Sequence, residues 1–201
     1  MAIASKYLKS WSAFIDGKGF AGNCKEVSLP TLTIKTEDFM AGGMDSPVAI
    51  DMGLEKLEAS VTLTSYDISA LQQWGLGEGQ EVPLVVKGSL ESFDGSVEAI
   101  NVSMRGKVVA LEMSAWTAGS ESTLKLTMNV HAYRYEQAGQ IIFDIDVVNM
   151  VRVINGKDVL ADRRAALGMD SSNSILSTVA ISNPLANVRN RITSGINSLL
   201  G

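Results

Sequence analysis

Few side chains in this 201-residue sequence could do chemistry, and they are poorly grouped. There is one histidine, His131, and one cysteine, Cys24. A structural zinc site needs about four nitrogen or sulfur ligands, so neither a zinc site nor a histidine-paired metal site can be filled. His131 falls on the polar side of an alternating stretch, where a solvated or interface role is expected ahead of a catalytic one. Cys24 lies beside a turn and reads as structural rather than nucleophilic. Asp144 and Asp146 share one face of a strand, and paired carboxylates can carry acid–base work. The same spacing is ordinary on an exposed or interface strand face, and no EF-hand pattern accompanies it. Gly42-Gly43 precedes neither a phosphate-loop motif nor a helix start, so the pair reads as hinges. Arg163-Arg164 reads as a solvated or ion-paired patch on a helix. No catalytic, cofactor-binding or metal-binding set emerges, and the chain is not expected to be an enzyme or to need a cofactor.

Composition narrows the remaining classes. Hydrophobic residues make up 46% and charged residues 19%, which suits a packed core and excludes wholesale disorder. The net charge of −5 offers no attraction to nucleic acid or anionic lipid. A lone cysteine excludes an intrachain disulfide and fits a reducing compartment. The stretch MAIASKYLKSW lacks a signal-peptide core, and no run approaches the ~18 apolar residues of a membrane span, so stable membrane insertion is not expected.

The elements are mostly strands. Trp11 to Asp16 reads as a strand before the turn Asp16-Gly17-Lys18-Gly19. Val27 to Lys35 alternates, with a register change at Pro30 that implies a bulge or an edge. Leu57 to Thr64 alternates strictly, with Leu57, Ala59, Val61 and Leu63 on one side. Asp67 is set to cap a short helix bearing Ile68, Leu71 and Trp74 at helical spacing, with Gly75 near its end. Val82 to Ser89, Val97 to Arg105 and Lys107 to Met113 read as strands. Thr123 to Tyr133 alternates most clearly, and a further strand runs from Ile141 through about Ile154. Asn155-Gly156 makes a turn, Asp158 is an N-cap candidate, and a helix through Val159, Leu160, Arg163 and Leu167 stops at Gly168.

Two segments depart from this pattern. Residues 36–56 hold adjacent glycines, a proline and little sustained periodicity, and read as a long loop or extended arm with a task of its own. Its candidate contact residues are Phe39, Met40, Gly42, Gly43, Met44, Pro47, Ile50 and Met52. Residues 169–201 begin with the polar run MDSSNS and then place Asn183 as N-cap and Pro184 at the first helical position. Leu185, Val188, Ile192, Ile196 and Leu199 follow on one face of an amphipathic helix. The division is therefore a β-domain over 1–168 and a C-terminal extension over 169–201.

The stretch VSLPTLTIKTEDFMAGGMDSPVAIDMGLEKLEA, Val27 to Ala59, resembles the major tail tube proteins of contractile-tailed bacteriophages. It is similar also to the tube of R-type pyocins. A second match is VVNMVRVINGKDVLADRRAALG, Val147 to Gly168; FIDG (Phe14 to Gly17) and MRG (Met104 to Gly106) fit as well. The resemblance covers roughly residues 10–168. It implies a mainly β fold, an antiparallel β-barrel or sandwich with one or two flanking helices and a long inter-subunit arm. It further implies a virion tail protein assembled in the bacterial cytoplasm, with six copies per ring and rings stacked into a hollow tube. DNA, or ions in pyocins, would pass after an outer sheath contracts. Expected partners are other copies of the chain, the tail sheath protein, baseplate and tail terminator proteins, and passing DNA in transient non-specific contact.

On that reading Glu58, Ser60, Thr62, Thr64, Thr123, Thr127 and Asn129 are candidate lumen residues, in a wall expected from net charge to be acidic and weakly adhesive. The 184–199 helix is expected to dock outside the barrel, on a neighbouring subunit or the sheath. The alternative class is a β-sandwich binding module on a virion or cell surface, which would cluster exposed aromatics. Trp11, Trp74 and Trp116 are instead scattered among apolar neighbours. A hydrolase would need a convergent polar site that one histidine makes hard to build.

Overall fold

The computed structural model describes residues 6–169, and every structural statement below concerns those residues. In chain order the elements are β1 (Lys6–Ile15), β2 (Lys18–Gly19), β3 (Cys24–Ser28), β4 (Ile34–Phe39), β5 (Val48–Leu54), β6 (Leu57–Leu63), α1 (Ile68–Leu71), β7 (Val82–Ser92), β8 (Val97–Met113), β9 (Leu124–Gln137), β10 (Gln140–Asp146), β11 (Val151–Ile154), β12 (Lys157–Asp158) and α2 (Ala161–Ala166). One 10-stranded sheet runs β12-β11-β10-β9-β8-β7-β1-β2, with β6 joined to β9 and β3 to β6; β4 and β5 form a separate 2-stranded sheet.

Strand β9 organises the molecule. Its apolar residues recur at every second position, so one face can enter a core while both edges stay free to pair. One edge pairs with β8 from Leu124 to Gln137. The other edge is shared: Leu124 to Val130 pair with β6, and Ala132 to Gln137 pair with β10. The sheet therefore branches at β9. The result is a sandwich-like β fold with no closed barrel. Leu57, Ala59, Val61 and Leu63 of β6 point into the core with Leu124, Leu126, Met128 and Val130 of β9. Leu84, Val102, Met104 and Ala13 complete the layer. Each large side chain buried this way contributes on the order of 1.5–3 kcal/mol.

Two bulges bend the β8–β9 ribbon. His131 is the extra residue on β9 beside Gly106, and Val109 is the extra residue on β8 opposite Met128 and Thr127. Such insertions increase local twist and curl a sheet over its own core. At the first bulge the backbones come close: a Cβ on Gly106 would lie 1.9 Å from the Asn129 carbonyl oxygen.

Several expectations need correction. Residues 36–56 are not a loop: most of the segment belongs to the β4–β5 hairpin, with Phe39 opposite Val48 and Glu37 opposite Ile50. The alternation from Val27 to Lys35 is divided between β3 and β4, because Pro30 lies outside both strands and cannot donate to a ladder. Val97 to Met113 is one bulged strand, while 141–154 is two strands separated by a turn at 147–150. Asp67 caps α1 by accepting from the Ser69 amide at 2.8 Å. That helix stops at Leu71, so Trp74 falls outside it and both Ile68 and Trp74 are exposed.

The C-terminal helix is tied down by ions rather than by an apolar stripe. Leu160, not Asp158, is the N-cap of α2, though the Asp158 carboxylate accepts from the Leu160 amide at 3.0 Å. Arg164 is ion-paired, one of the two expected states, but buried, and reaches Asp158 at 2.6 Å and the Met150 carbonyl at 2.8 Å. Buried Arg152 bonds Asp51 of the hairpin at 2.8 Å. The helix ends as expected at Gly168, whose positive φ lets its amide reach Ala165 while Met169 reaches Arg164.

The Gly53 amide and the Arg152 guanidinium hold the Asp51 carboxyl below the usual carboxylate range. Burial pushes Asp158 up, but Arg164 and the Leu160 and Arg152 amides outweigh it and leave it below that range too. Both folded-state values are depressed, so this stabilisation is complete above about pH 4 and is lost as pH falls through the folded values. Hydrogen exchange between pH 5 and pH 2.5, corrected for intrinsic rates, is expected to show the hairpin root and α2 opening before the core. In Asp51→Asn the hairpin root should no longer respond to acid. Gly106→Ala is expected to cost about 3 kcal/mol or more in urea denaturation, because backbone rather than a movable side chain blocks the Cβ.

Candidate functional site

The β4–β5 arm is an exposed element, with every residue of β4 and most of β5 exposed. Phe39, Val48, Ile50 and Met52 lie on one side of it at 53%, 53%, 46% and 54% exposure, interrupted by Glu37. Thr36, Asp38, Ala49 and Asp51 occupy the other side. The ribbon is therefore amphipathic, and the four residues of its apolar side each stay about half exposed among the described residues. At the tip Met40 is exposed, and the Met44 amide closes a turn on the Ala41 carbonyl at 3.1 Å. Gly42, Gly43 and Pro47 complete the tip, all exposed. The expected arm residues are thus brought together, but on a hairpin whose two strands and bulge sequence reasoning missed.

The arm is anchored narrowly. Leu32 and Leu54 pack against the core, the Glu55 amide bonds the Thr33 carbonyl at 2.9 Å, and Asp51 pairs with Arg152. A cleft of about 490 Å³ lies beside the root, with Met52, Leu57, Val130, Val147 and Leu160 among its lining residues.

A second surface is the polar side of β3, β6, β9 and β8. Register sets out its rows: Glu26–Thr62–Lys125–Glu112, then Ser28–Ser60–Thr127–Ala110, then Glu58–Asn129–Lys107. Five of the candidate lumen residues, Glu58, Ser60, Thr62, Thr127 and Asn129, share this face. Thr64 and Thr123 fall just beyond their strands: the Thr64 amide bonds the Asn23 carbonyl at 2.8 Å, and the Thr123 amide bonds the Ser114 hydroxyl at 2.9 Å. Glu26, Glu112, Lys107 and Lys125 had not been expected as part of the set. Their own alternation carried the signal, but only the strand pairing assigns them to one surface. The face is not uniformly acidic, since Lys107 and Lys125 interleave with Glu26, Glu58 and Glu112.

The other chemistry-bearing residues have structural surroundings. His131 lies at the β9 bulge with Nδ1 2.9 Å from Glu81. Burial pushes the Cys24 thiol up to about 11, so it stays protonated and unreactive near neutral pH. Asp144 and Asp146 are buried, not exposed: Arg134 meets Asp144 at 2.6 Å, and Asn149 donates twice to Asp146. Alternation could not foresee this, because Asn149, which bonds Asp146, comes from the 147–150 turn. Among the described residues no three histidine, cysteine or acidic side chains group as a metal site. Trp74 and Trp116 are exposed on separate segments, while Trp11 packs against the core. Leu185, Val188, Ile192, Ile196 and Leu199 lie outside the described residues.

The tail tube protein of Escherichia phage P2 is 29% identical over 173 residues, covering 84% of this chain and 100% of that protein. The major tail tube protein of Serratia phage KSP20 is 29% identical over 173 residues, covering 84% and 99%. In fold, the chain is similar to one from the cryo-EM structure of an extracellular contractile injection system, the PVC sheath-tube complex in its extended state. That match has a TM-score of 0.50 at 11% identity and covers 67% of this chain and 91% of the other. The family model for phage tail tube protein FII spans residues 5–168, from β1 through α2, and so takes in the arm, the branched sheet and the ion-paired helix together. The chain belongs to the phage tail tube protein FII family, whose members are structural components of the virion tail.

Proposed function

We propose that the chain is the repeating subunit of a contractile tail tube, acting by self-assembly and not by catalysis. Six copies close into a ring, and rings stack into a hollow conduit for DNA, or for ions in a pyocin-like particle, once a sheath contracts. Membership of the tail tube family carries this reading, and the exposed apolar side of the arm supports it.

A two-stranded ribbon is marginal in water on its own. The arm becomes stable where Phe39, Val48, Ile50 and Met52 lie against another copy. Met40, Gly42, Gly43, Met44 and Pro47 then form the tip that reaches it. Strands β2, β3 and β12 leave edges that ring closure would pair or cover, removing an aggregation hazard. The polar face of β3, β6, β9 and β8 is the best candidate wall. Its hydroxyls and amides, with charges of both signs side by side, leave little net field to hold a passing polyanion. The sheath is the natural partner of the opposite, outward surface, with baseplate and terminator proteins at the tube ends.

Negative-stain microscopy of the purified protein at rising concentration is expected to show rings and tubes. The double substitution Phe39→Asp/Ile50→Asp is expected to leave monomers that melt within a few degrees of the parent, since both residues are exposed in the free chain. Assembly by the double variant, or failure of the parent to assemble at any concentration, contradicts the proposal. On the wall, Thr127→Lys/Ser60→Lys is expected to permit tubes but to slow DNA passage, measured as ejection in a reconstituted particle.

A further inference from the structure

A second apolar hollow, of about 290 Å³, has no residue of the arm in its wall. Its floor is one side of β1, β7, β8 and β9, from Trp11 to Tyr135, and β3 borders it at Lys25. Trp11, Gly88 and Ile100 stand opposite one another on that floor. The middle position has no side chain, which leaves a notch between an indole and an isoleucine. A glycine inside a strand often marks a close approach by another group. Leu8 leans over the notch, 2.8 Å from where a Cβ of Gly88 would lie. Trp11, Ile100 and Tyr135 pack against the core, so the core reaches the surface here. Leu8 and Leu29, also lining the hollow, are both exposed.

The hollows of about 490 and 430 Å³ are different. Each is bordered by the arm root of its own chain, through Met52 in the first and Asp51 in the second, and each includes Arg152. An arm from another copy would have to share them with the one already in place. The 290 Å³ hollow is free of that conflict.

Its dimensions and charge match the arm. Val48 to Met52 spans about 13 Å of extended chain, and the four adjacent strands β1, β7, β8 and β9 span about 14 Å across the floor. The apolar row therefore fits the floor when the ribbon lies across the strands, the orthogonal way of packing two sheets. Glu37, opposite Ile50, is the charge on the arm's apolar side; it is exposed and in no ion pair among the described residues. Lys25, on the wall of the hollow, is paired with Glu121, and both side chains are about half exposed. Such a pair is weak and exchanges readily for a better partner.

We propose that this hollow receives the arm of a second copy, with Phe39, Val48, Ile50 and Met52 over the notched floor and Glu37 at Lys25. The contact deepens the tube reading, on which it rests, by giving the arm its receiving surface. Arm and hollow are different parts of the chain, so each copy gives one arm and receives one. Head-to-tail contacts of this kind close into rings or run on as filaments.

The test mixes two full-length variants. Leu8→Asp/Leu29→Asp spoils the hollow and keeps the arm, whereas Phe39→Asp/Ile50→Asp spoils the arm and keeps the hollow. All four residues are exposed, so both variants should melt within a few degrees of the parent. In sedimentation velocity each variant alone is expected to stay monomeric at about ten times the concentration at which the parent associates. Their mixture should form a one-to-one dimer and stop, because it contains one intact arm for one intact hollow. Glu37→Lys and Lys25→Glu are each expected to weaken association about tenfold, and both together in one chain to restore it. If the hollow variant associates as the parent does, the mixture stays monomeric, or the charge exchange restores nothing, the arm sits elsewhere and the proposal falls while the tube reading stands. Association by the arm variant alone, or none by the parent, overturns both.

Discussion

A two-stranded ribbon has no interior, so an apolar row along one of its sides is either wet or covered by something else. In this protein Phe39, Val48, Ile50 and Met52 make such a row, and among the described residues each of them stays about half exposed. Most of what is unusual in the molecule follows from this constraint. The arm has its own sheet, separate from the main one, so covering it does not disturb the core. Its root is held by an ion pair, Asp51 to Arg152, and by a short apolar seam at Leu32 and Leu54. These contacts fix the root of the ribbon while leaving its apolar side about half exposed.

The main sheet has a complementary task. By giving half of one edge to β6 and half to β10, β9 forms a branch that joins both to one core. The bulges at His131 and Val109 supply the curvature, and Gly106 permits the close backbone approach that the first bulge requires. The polar rows across β3, β6, β9 and β8 thereby become a continuous surface.

Sequence made the core legible and the arm and the buried ion pairs much less so. Strict alternation in Leu57–Leu63 and Leu124–Val130 correctly separated buried from accessible positions, because each strand has one apolar face packed inward. The Asp67 cap and the Gly168 stop were legible because each answers a local backbone need. The arm was not legible as strands. Its apolar residues alternate only on β5, β4 is mostly polar, and the bulge near Gly53 breaks the pairing register. The long motif from Val27 to Ala59 nonetheless identified the segment through its family. The burial of Asp144, Asp146 and Arg164 was not legible for one common reason. Their burial comes from tertiary ion pairs and covering turns, which leave no periodic trace.

The most direct measurement is a cryo-EM reconstruction of assembled material, read at the arm. The account requires Phe39, Val48, Ile50 and Met52 of one copy to be buried against an adjacent copy, with the β3, β6, β9 and β8 polar rows facing an enclosed channel. An assembly in which that side of the arm remains in solvent, or folds back over its own subunit, would contradict it.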